Sequence, residues 1–241
     1  MFSQKIRDRL DGYIRQHDGR INRALGGSPF ADADPASKRY QQALPRMQPY
    51  MDLTADEKAA LGMYGENVHK YYEQLNTQLR KSNPSQLDPE SQEVLEFMQN
   101  NLTSALAKLQ AVQPTSHTRF IGGEETQVPG RFTRAVTGDF AEHLSHLKPG
   151  DEFTDPGFAS YTDSGNPTLD MFLSKDKDVV NAVIQLAEGT PLKNISPITE
   201  FQEGEHLAMP NTKYRLQKAN SSGHHSRKAG DLPLYILEVL A

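Results

Sequence analysis

The stretch EGEHLAMPNTKYRL, residues 203–216, indicates a β-structure in the second half of this chain. It predicts two short strands separated by a turn at Pro210. Its first three residues place the carboxylates of Glu203 and Glu205 two positions apart, and an extended strand would point both toward one face of a sheet. A solvated strand face produces the same pattern, so the meaning of this pair depends on other parts of the chain.

Two stretches upstream give the Glu pair a context. In RFTRAV, residues 131–136, strand alternation groups Arg134 with apolar residues. In GFASYT, residues 157–162, the same alternation places Ser160 and Thr162 on one face. A charge on a partly apolar face needs a partner, so these stretches and the Glu pair together predict a polar site in the β region.

The first half of the chain is predicted to be helical, because its apolar residues recur every three or four positions. Thr54 and Glu57 predict a capping box that opens a helix running to about residue 79. Asp88–Pro89 predicts the start of a further helix, since proline suits the first helical position. A helix is also predicted at the N-terminus of the chain. Between it and the helix that begins at Thr54, a shorter helix is expected to end near Pro45.

After Pro114 the apolar period changes from about four residues to two, which is typical of strands. One short helix is predicted over residues 139–147, and residues 221–226 are predicted to be a loop. The chain is therefore predicted to be an α+β protein. A helical lobe at about 1–115 precedes a mostly antiparallel β region at about 116–241.

The composition excludes several classes of protein. The 241 residues suit one large domain or two small lobes. No apolar run approaches the ~18 residues of a membrane span. A net charge of −5 argues against nucleic acid as a partner, because a phosphate-binding surface needs an excess of basic residues. Cysteine is absent, which removes disulfides, thiolate metal sites and cysteine nucleophiles.

The three stretches, in this order, resemble the active-site motifs of the mono-ADP-ribosyltransferases. That family's signature is Arg, then Ser-x-Ser or Ser-x-Thr, then Glu-x-Glu. The segment LKPGDEF, residues 147–153, and the helix-like residues 53–80 are also similar to segments that flank these motifs in bacterial toxins of the class. The resemblance covers about residues 53–240, so the alternative to two lobes is one integrated domain over about residues 53–241.

The resemblance implies a fold and a cofactor. The expected core is two small, roughly perpendicular, mostly antiparallel β-sheets with NAD in the cleft, preceded by helices. NAD is expected as the co-substrate, bound without a Rossmann unit, since no Gly-rich dinucleotide turn is present. No metal is expected.

The resemblance also assigns roles to the carboxylates. Glu205 is expected to stabilise the cationic, oxocarbenium-like ribose that forms when nicotinamide leaves. Glu203 is expected to bind the acceptor side chain and accept its proton. Ser160 is expected to orient Glu205 or the nicotinamide. Phe201 is expected to touch the protein acceptor.

Other residues are expected to hold NAD. Arg134 is expected to bind the phosphates, because its planar fork suits their geometry. Thr162 is expected to support the strand that carries the second motif. Lys175 or Lys177 is expected to supply a second cation for the pyrophosphate.

The expected function is that of a bacterial toxin or effector that transfers ADP-ribose from NAD to a host protein. The Glu at position 203 points to an arginine acceptor, and a threonine, such as one in ubiquitin, is the alternative. We expect a monomer that is secreted by a bacterium and acts in the host cytosol. Its first residues, MFSQKI, lack the apolar segment of a Sec signal. Because the helical lobe has no matching binding-domain partner, delivery is expected to use a secretion machine or another subunit.

Other interpretations remain open. An NAD glycohydrolase would share Arg134, Ser160 and Glu205 but would not need Glu203. A non-catalytic binding module could use the same fold with a degenerate NAD site. At single positions, Arg134 could form a structural ion pair, and Ser160 and Thr162 could be ordinary strand hydroxyls.

Overall fold

A computed structural model describes most of the chain and divides it into two compact units. Its described residues are 2–66, 68–81, 87–121, 124–163, 167–176, 178–199, 204–226 and 229–240. The first unit contains Met1–Gln110 and Lys193–Gln202. The second unit contains Ala111–Leu192 and Glu203–Ala241.

The first unit is helical, as its apolar periodicity predicts. Its helices are α1 (Gln4–Ala24), α2 (Lys38–Met51), α3 (Ala55–Tyr64), α4 (Tyr71–Arg80) and α5 (Pro89–Lys108). Helix α3 packs against both α1 and α5. Gly62 lets α1 come close, because a Cβ at this position would lie 2.8 Å from the Cβ of Tyr13. None of the helices in the described part of the chain combines the length and apolar character needed to cross a lipid bilayer.

The predicted capping box at Thr54 is confirmed, but the helix that it opens is shorter than predicted. The Thr54 hydroxyl accepts a hydrogen bond from the Glu57 N–H, and the Glu57 carboxylate accepts one from the Thr54 N–H. The helix ends at Tyr64 with Gly65 as its C-cap. A new helix begins after Lys70, whose φ of 52° is left-handed and incompatible with a continuous right-handed helix.

Helix α2 continues past the proline at which it was predicted to end. Pro45 and Pro49 both lie inside it. A proline removes one helical hydrogen bond, so tertiary contacts must offset that loss. Met47 and Tyr50 are buried, and the Tyr50 hydroxyl donates to the Asn194 carbonyl over 2.7 Å.

The segment Lys193–Gln202 is far from the helices in the sequence but belongs to their unit. The Lys193 ammonium donates to the Leu109 carbonyl over 2.6 Å. Ile195 and Ile198 are buried in this segment. Gly65 makes room for it, because a Cβ there would lie 2.8 Å from Thr199 Cγ2.

The second unit is mainly β-structure. Its strands are β1 (Ala111–Val112), β2 (His117–Ile121), β3 (Glu124–Val128), β4 (Phe132–Thr137), β5 (Glu152–Asp155), β6 (Ala159–Asp163), β7 (Asn181–Leu186), β9 (Glu205–Ala208), β10 (Thr212–Ser226) and β11 (Gly230–Leu240). Strand β8 (Leu192–Asn194) crosses the boundary between the units. Helix α6 (Asp139–His146) and a 3₁₀ helix (Pro167–Phe172) complete the elements. The predicted order of helices followed by a β core is therefore confirmed.

Most strands of the second unit form one sheet. Seven of them lie in the order β9-β6-β4-β7-β11-β10-β5, and β2 and β3 pair separately as a hairpin. Neighbours in this order are antiparallel, except that β7 and β11 are parallel. The core is thus a mixed sheet with a separate hairpin, where two small sheets were expected.

The loop that was predicted at residues 221–226 is instead part of β10, so that prediction is wrong. Strand β10 pairs with β11 along its length, with a register shift between Asn220 and His224. Gly223 lies in this irregular stretch, where a Cβ would come within 2.6 Å of the Leu234 Cβ. Pairing with a neighbouring strand has therefore overridden the turn-like composition.

Helix α6, predicted at residues 139–147, covers one face of the sheet. Its buried residues Ala141 and Leu144 pack in one cluster with Phe132 and Val136 of β4. The same face carries the buried Tyr161 of β6. This face is therefore the main core of the second unit.

Candidate active site

Three neighbouring strands bring the second and third motifs together. Thr133 of β4 lies opposite Thr162 of β6, and Thr162 lies opposite Glu205 of β9. Residues that are directly opposite in a sheet share a face. Thr133, Thr162 and Glu205 therefore form a row across the sheet, and Ser160 lies on the same face by alternation.

The Ser160 hydroxyl donates a hydrogen bond to Glu205 Oε1 over 2.8 Å. Both side chains are half-buried, and 45 residues separate them in the sequence. The bond holds the carboxylate in one orientation, which is what a group that stabilises developing positive charge requires. Of the predicted site residues, these two are brought into direct contact.

Of the two glutamates, the structure describes Glu205. Strand β9 begins at Glu205, and Gly204 before it has a φ of 63°. The backbone at Gly204 is therefore not that of an extended strand, and the idea that both carboxylates share a strand face stays a prediction. Glu203 and Phe201 lie outside the described residues, so their roles stay predictions.

Arg134 lies on the opposite face of the sheet from Ser160 and Glu205, because its neighbour Thr133 shares their face. Its Nη1 atom is 3.3 Å from Asp155 Oδ2. The side chain of Arg134 is 16% exposed and that of Asp155 is 1% exposed. The ion pair that the sequence left open as an alternative is thus present, and binding of NAD phosphates by Arg134 stays a prediction.

Aromatic rings surround this ion pair. The Arg134 guanidinium lies 5.5 Å from the ring centroid of Phe140 and 5.9 Å from that of Tyr161. The Tyr161 and Tyr214 hydroxyls are 3.3 Å apart, and burial raises the pKa of both phenols. The tyrosines are therefore uncharged near neutral pH, and the guanidinium is held by cation–π contacts as well as by the carboxylate.

His206 is a feature of the site that the sequence analysis did not single out. Its Nδ1 atom is 2.6 Å from the Gly204 carbonyl oxygen. Its ring lies against Phe132, with centroids 4.5 Å apart. Burial lowers the pKa of His206 below its ordinary value. Its position next to Glu205 in an otherwise apolar strand, EHLA, is the sequence signal that could have identified it.

Two lysines were the candidates for a second cation at the pyrophosphate. Lys175 is exposed, and Lys177 lies outside the described residues, so a second cation for the pyrophosphate stays a prediction. Across the residues that the structure describes, no three His, Asp or Glu side chains come together as they would in a metal site.

Comparison with known protein families gives one match. A family model described as ADP-ribosyltransferase exoenzyme matches residues 36–231 of this chain. Those residues include all three motifs and the segments that flank them. Curated protein sequences give no match.

Solved ADP-ribosyltransferases have a similar fold at low sequence identity. The Vis toxin from Vibrio splendidus has a TM-score of 0.59 at 14% identity, covering 100% of this chain and 87% of that chain. For Vis in complex with agmatine the TM-score is 0.60 at 14% identity, with 96% and 86% covered. HopU1 of Pseudomonas syringae pv. tomato DC3000 gives 0.55 at 16% identity, with 100% and 99% covered. Exoenzyme S from Pseudomonas aeruginosa, in complex with human 14-3-3 protein beta and bound to carba-NAD, gives 0.53 at 16% identity, with 96% and 87% covered.

Proposed function

The chain belongs to the ADP-ribosyltransferase exoenzyme family and is an NAD-dependent protein ADP-ribosyltransferase, and from this premise we propose that it modifies an arginine side chain of a host protein. The observation that carries the proposed catalytic role of Glu205 is its hydrogen bond from Ser160. It joins the second and third motifs at an oriented carboxylate, which suits a reaction whose barrier lies in a cationic ribose.

The proposed roles of the two carboxylates, Glu205 and Glu203, follow from the chemistry of NAD. Nicotinamide is cationic while attached to the ribose and leaves as a neutral base, so the leaving group needs no general acid. The bond to nicotinamide breaks with its electron pair, and positive charge develops on the ribose. Glu205, held by Ser160, stabilises that charge, and the acceptor then forms the new bond. Thr162, which lies opposite Glu205, supports the strand at this point.

The acceptor is proposed to be arginine because of Glu203. A free guanidinium remains protonated, so a carboxylate must bind it and accept a proton as it attacks. The complex of Vis with agmatine supports this choice, because agmatine carries a guanidinium group. Phe201 is proposed to contact the acceptor protein, and a threonine acceptor is the alternative.

The proposed setting is a host cell. The family is described as one of exoenzymes, and similar structures include a toxin and an exoenzyme in complex with a human protein. We therefore propose that this chain is secreted by a bacterium, acts as a monomer in the host cytosol and takes a host protein as acceptor.

The test compares the wild-type chain with Glu205→Ala and with a matched control, Glu142→Gln, which changes an exposed carboxylate of α6. Each is incubated with biotinylated NAD and a eukaryotic lysate, and nicotinamide release is measured in parallel. Wild type and control should label a protein band, and Glu205→Ala should lose both labelling and nicotinamide release. Full activity of Glu205→Ala would rule out the proposed catalytic carboxylate.

A second variant tests the role of Glu203. Glu203→Gln should reduce transfer to protein much more than it reduces NAD hydrolysis, because water needs less activation by that carboxylate than a guanidinium does. Mass spectrometry of the labelled band identifies the acceptor residue. Equal loss of both activities would contradict the division of labour, and nicotinamide release without any labelled protein would favour a glycohydrolase.

A further inference from the structure

His206 directly follows Glu205 in β9, and the proposed mechanism does not use it. The residue is 7% exposed, and its ring lies against that of Phe132. In the register of β6 and β9 it is opposite the buried Tyr161. Burying an imidazole among apolar and aromatic side chains is unfavourable unless its polar atoms are hydrogen-bonded, so its partner is informative.

The partner of His206 is the backbone directly before its strand. Nδ1 lies 2.6 Å from the Gly204 carbonyl oxygen, and because a carbonyl only accepts, Nδ1 must carry the proton. Burial lowers the pKa of His206, although the bond to Gly204 and the charge of Asp163 act to raise it. The ring is therefore neutral near pH 7, and the carbonyl selects the tautomer with its single proton on Nδ1.

The carbonyl that His206 holds lies at the end of the ladder between β6 and β9. The last residue pair of that ladder is Thr162 with Glu205, so Gly204 is one residue beyond it. Gly204 has a φ of 63°, a conformation in which the chain turns sharply out of the strand. Its carbonyl belongs to the rigid peptide unit that joins it to Glu205, so the direction of that carbonyl sets the backbone from which the Glu205 side chain projects.

We propose that His206 is a positioning residue for Glu205. Its hydrogen bond to Gly204 fixes the peptide unit before Glu205 and keeps the carboxylate within 2.8 Å of the Ser160 hydroxyl. This inference rests on the proposed function, because it requires Glu205 to be the catalytic carboxylate. A displacement of about 1 Å at a reacting group can reduce the rate about 100-fold, so fixing this peptide unit matters for turnover.

Two substitutions separate hydrogen bonding from packing. His206→Leu retains an apolar side chain against Phe132 but has no donor. His206→Asn is smaller, but its amide nitrogen takes nearly the place of Nδ1 and can donate to Gly204. Both are compared with wild type for melting temperature and for the kcat and KM of nicotinamide release.

We expect kcat to fall in His206→Leu, which has no hydrogen-bond donor, and to recover in His206→Asn, which has one. His206→Leu should reduce kcat about 10- to 100-fold, equivalent to about 1.4–2.7 kcal/mol of barrier, with the KM for NAD changed less than about twofold. His206→Asn should recover most of kcat despite its poorer packing. Wild-type kcat in His206→Leu would overturn the proposal. So would equally slow turnover in both variants when their melting temperatures match that of wild type.

A measurement on the wild-type chain covers the case in which His206→Leu does not fold. Nitrogen-15 NMR of the imidazoles should show His206 as the neutral tautomer protonated on Nδ1 at pH 7. A proton on Nε2 alone would overturn the proposal, whatever the activity of the variants. If wild type releases no nicotinamide, the proposed function fails, whereas the tautomer still tests the hydrogen bond itself.

Discussion

At the scale of single residues, the two motif residues Arg134 and Glu205 have different partners on opposite faces of one sheet. Glu205 is oriented by Ser160. Arg134 is paired with Asp155, which also accepts a hydrogen bond from the Gly157 N–H. The pair therefore holds the turn that leads into β6, the strand that carries Ser160, and it has a structural role independent of any contact with NAD.

The first prediction concerns that pair. Asp155→Asn keeps the shape of the side chain and an acceptor for Gly157 but removes its charge, so the half-buried guanidinium of Arg134 loses the carboxylate of Asp155. Removing one partner of a buried ion pair typically lowers the free energy of unfolding by about 3–5 kcal/mol. We expect a loss near the lower end of that range, measured by urea unfolding, since Arg134 is partly exposed.

The matched control lies on the same strand. Glu152→Gln removes an exposed carboxylate that pairs with Arg215 at 2.6 Å, and exposed pairs contribute about 1 kcal/mol or less. The control should therefore change the unfolding midpoint little. Similar small losses in both variants would show that the Arg134 pair does not stabilise the fold.

At the scale of elements, the sequence predicted those boundaries that depend on local chemistry. The capping box at Thr54 and the helix start at Asp88–Pro89 are both present, because each is made by residues within one turn. The end of α2 was misjudged, because Pro45 lies within a helix whose opposite side is buried. Local penalties of this kind are outweighed by packing that the sequence pattern does not reveal.

The second prediction concerns helix α1 and pH. His17 of α1 has a side chain that is 2% exposed, and burial, with a smaller effect of Lys58, lowers its pKa from 6.5 to about 4. Above pH 6.5 the ring is neutral in both the folded and unfolded states. As pH falls from 6.5 toward 4, the unfolded state takes up a proton that the folded state does not, so stability is lost.

The expected size of the effect is up to about 3 kcal/mol between pH 6.5 and 4, from a difference of about 1.4 kcal/mol per unit of pKa. His17→Leu should flatten the dependence of the unfolding free energy on pH, most clearly between pH 6.5 and 5, where carboxylates titrate little. His146→Leu, at an exposed position of α6, is the control for the loss of a histidine elsewhere in the chain. An unchanged slope in His17→Leu would contradict the buried, neutral state.

At the scale of the whole molecule, each of the two units is built from two separate stretches of the chain. One unit contains the five N-terminal helices and the other contains most of the strands, but residues 193–202 belong with the helices. The predicted domain boundary near residue 115 stays a prediction, since it concerns independent folding. Residues 193–202 contribute the buried Ile195 and Ile198 to the helical unit.

The third prediction follows from that division. A fragment of residues 1–115 lacks two buried isoleucines, each contributing about 1.5–3 kcal/mol, and the hydrogen bond from Tyr50 to Asn194. It should unfold at a lower temperature and less cooperatively than a fragment in which residues 193–199 are joined to it through a flexible linker. Circular dichroism melts measure both. Equal stability would show that the helices fold without the returning segment.

The sequence by itself determined the order of helices and strands, the capped helix starts and the three short motifs of the site. These depend on spacing within a few residues, which composition and periodicity record. Only the tertiary structure decided that Ser160 reaches Glu205, that Arg134 pairs with Asp155 on the other face, and that residues 193–202 return to the helices. Alternation shows which residues of one strand share a face. Which residues of two neighbouring strands lie on the same face depends on the strand register. The register is set by contacts between distant parts of the chain, which the sequence pattern does not show.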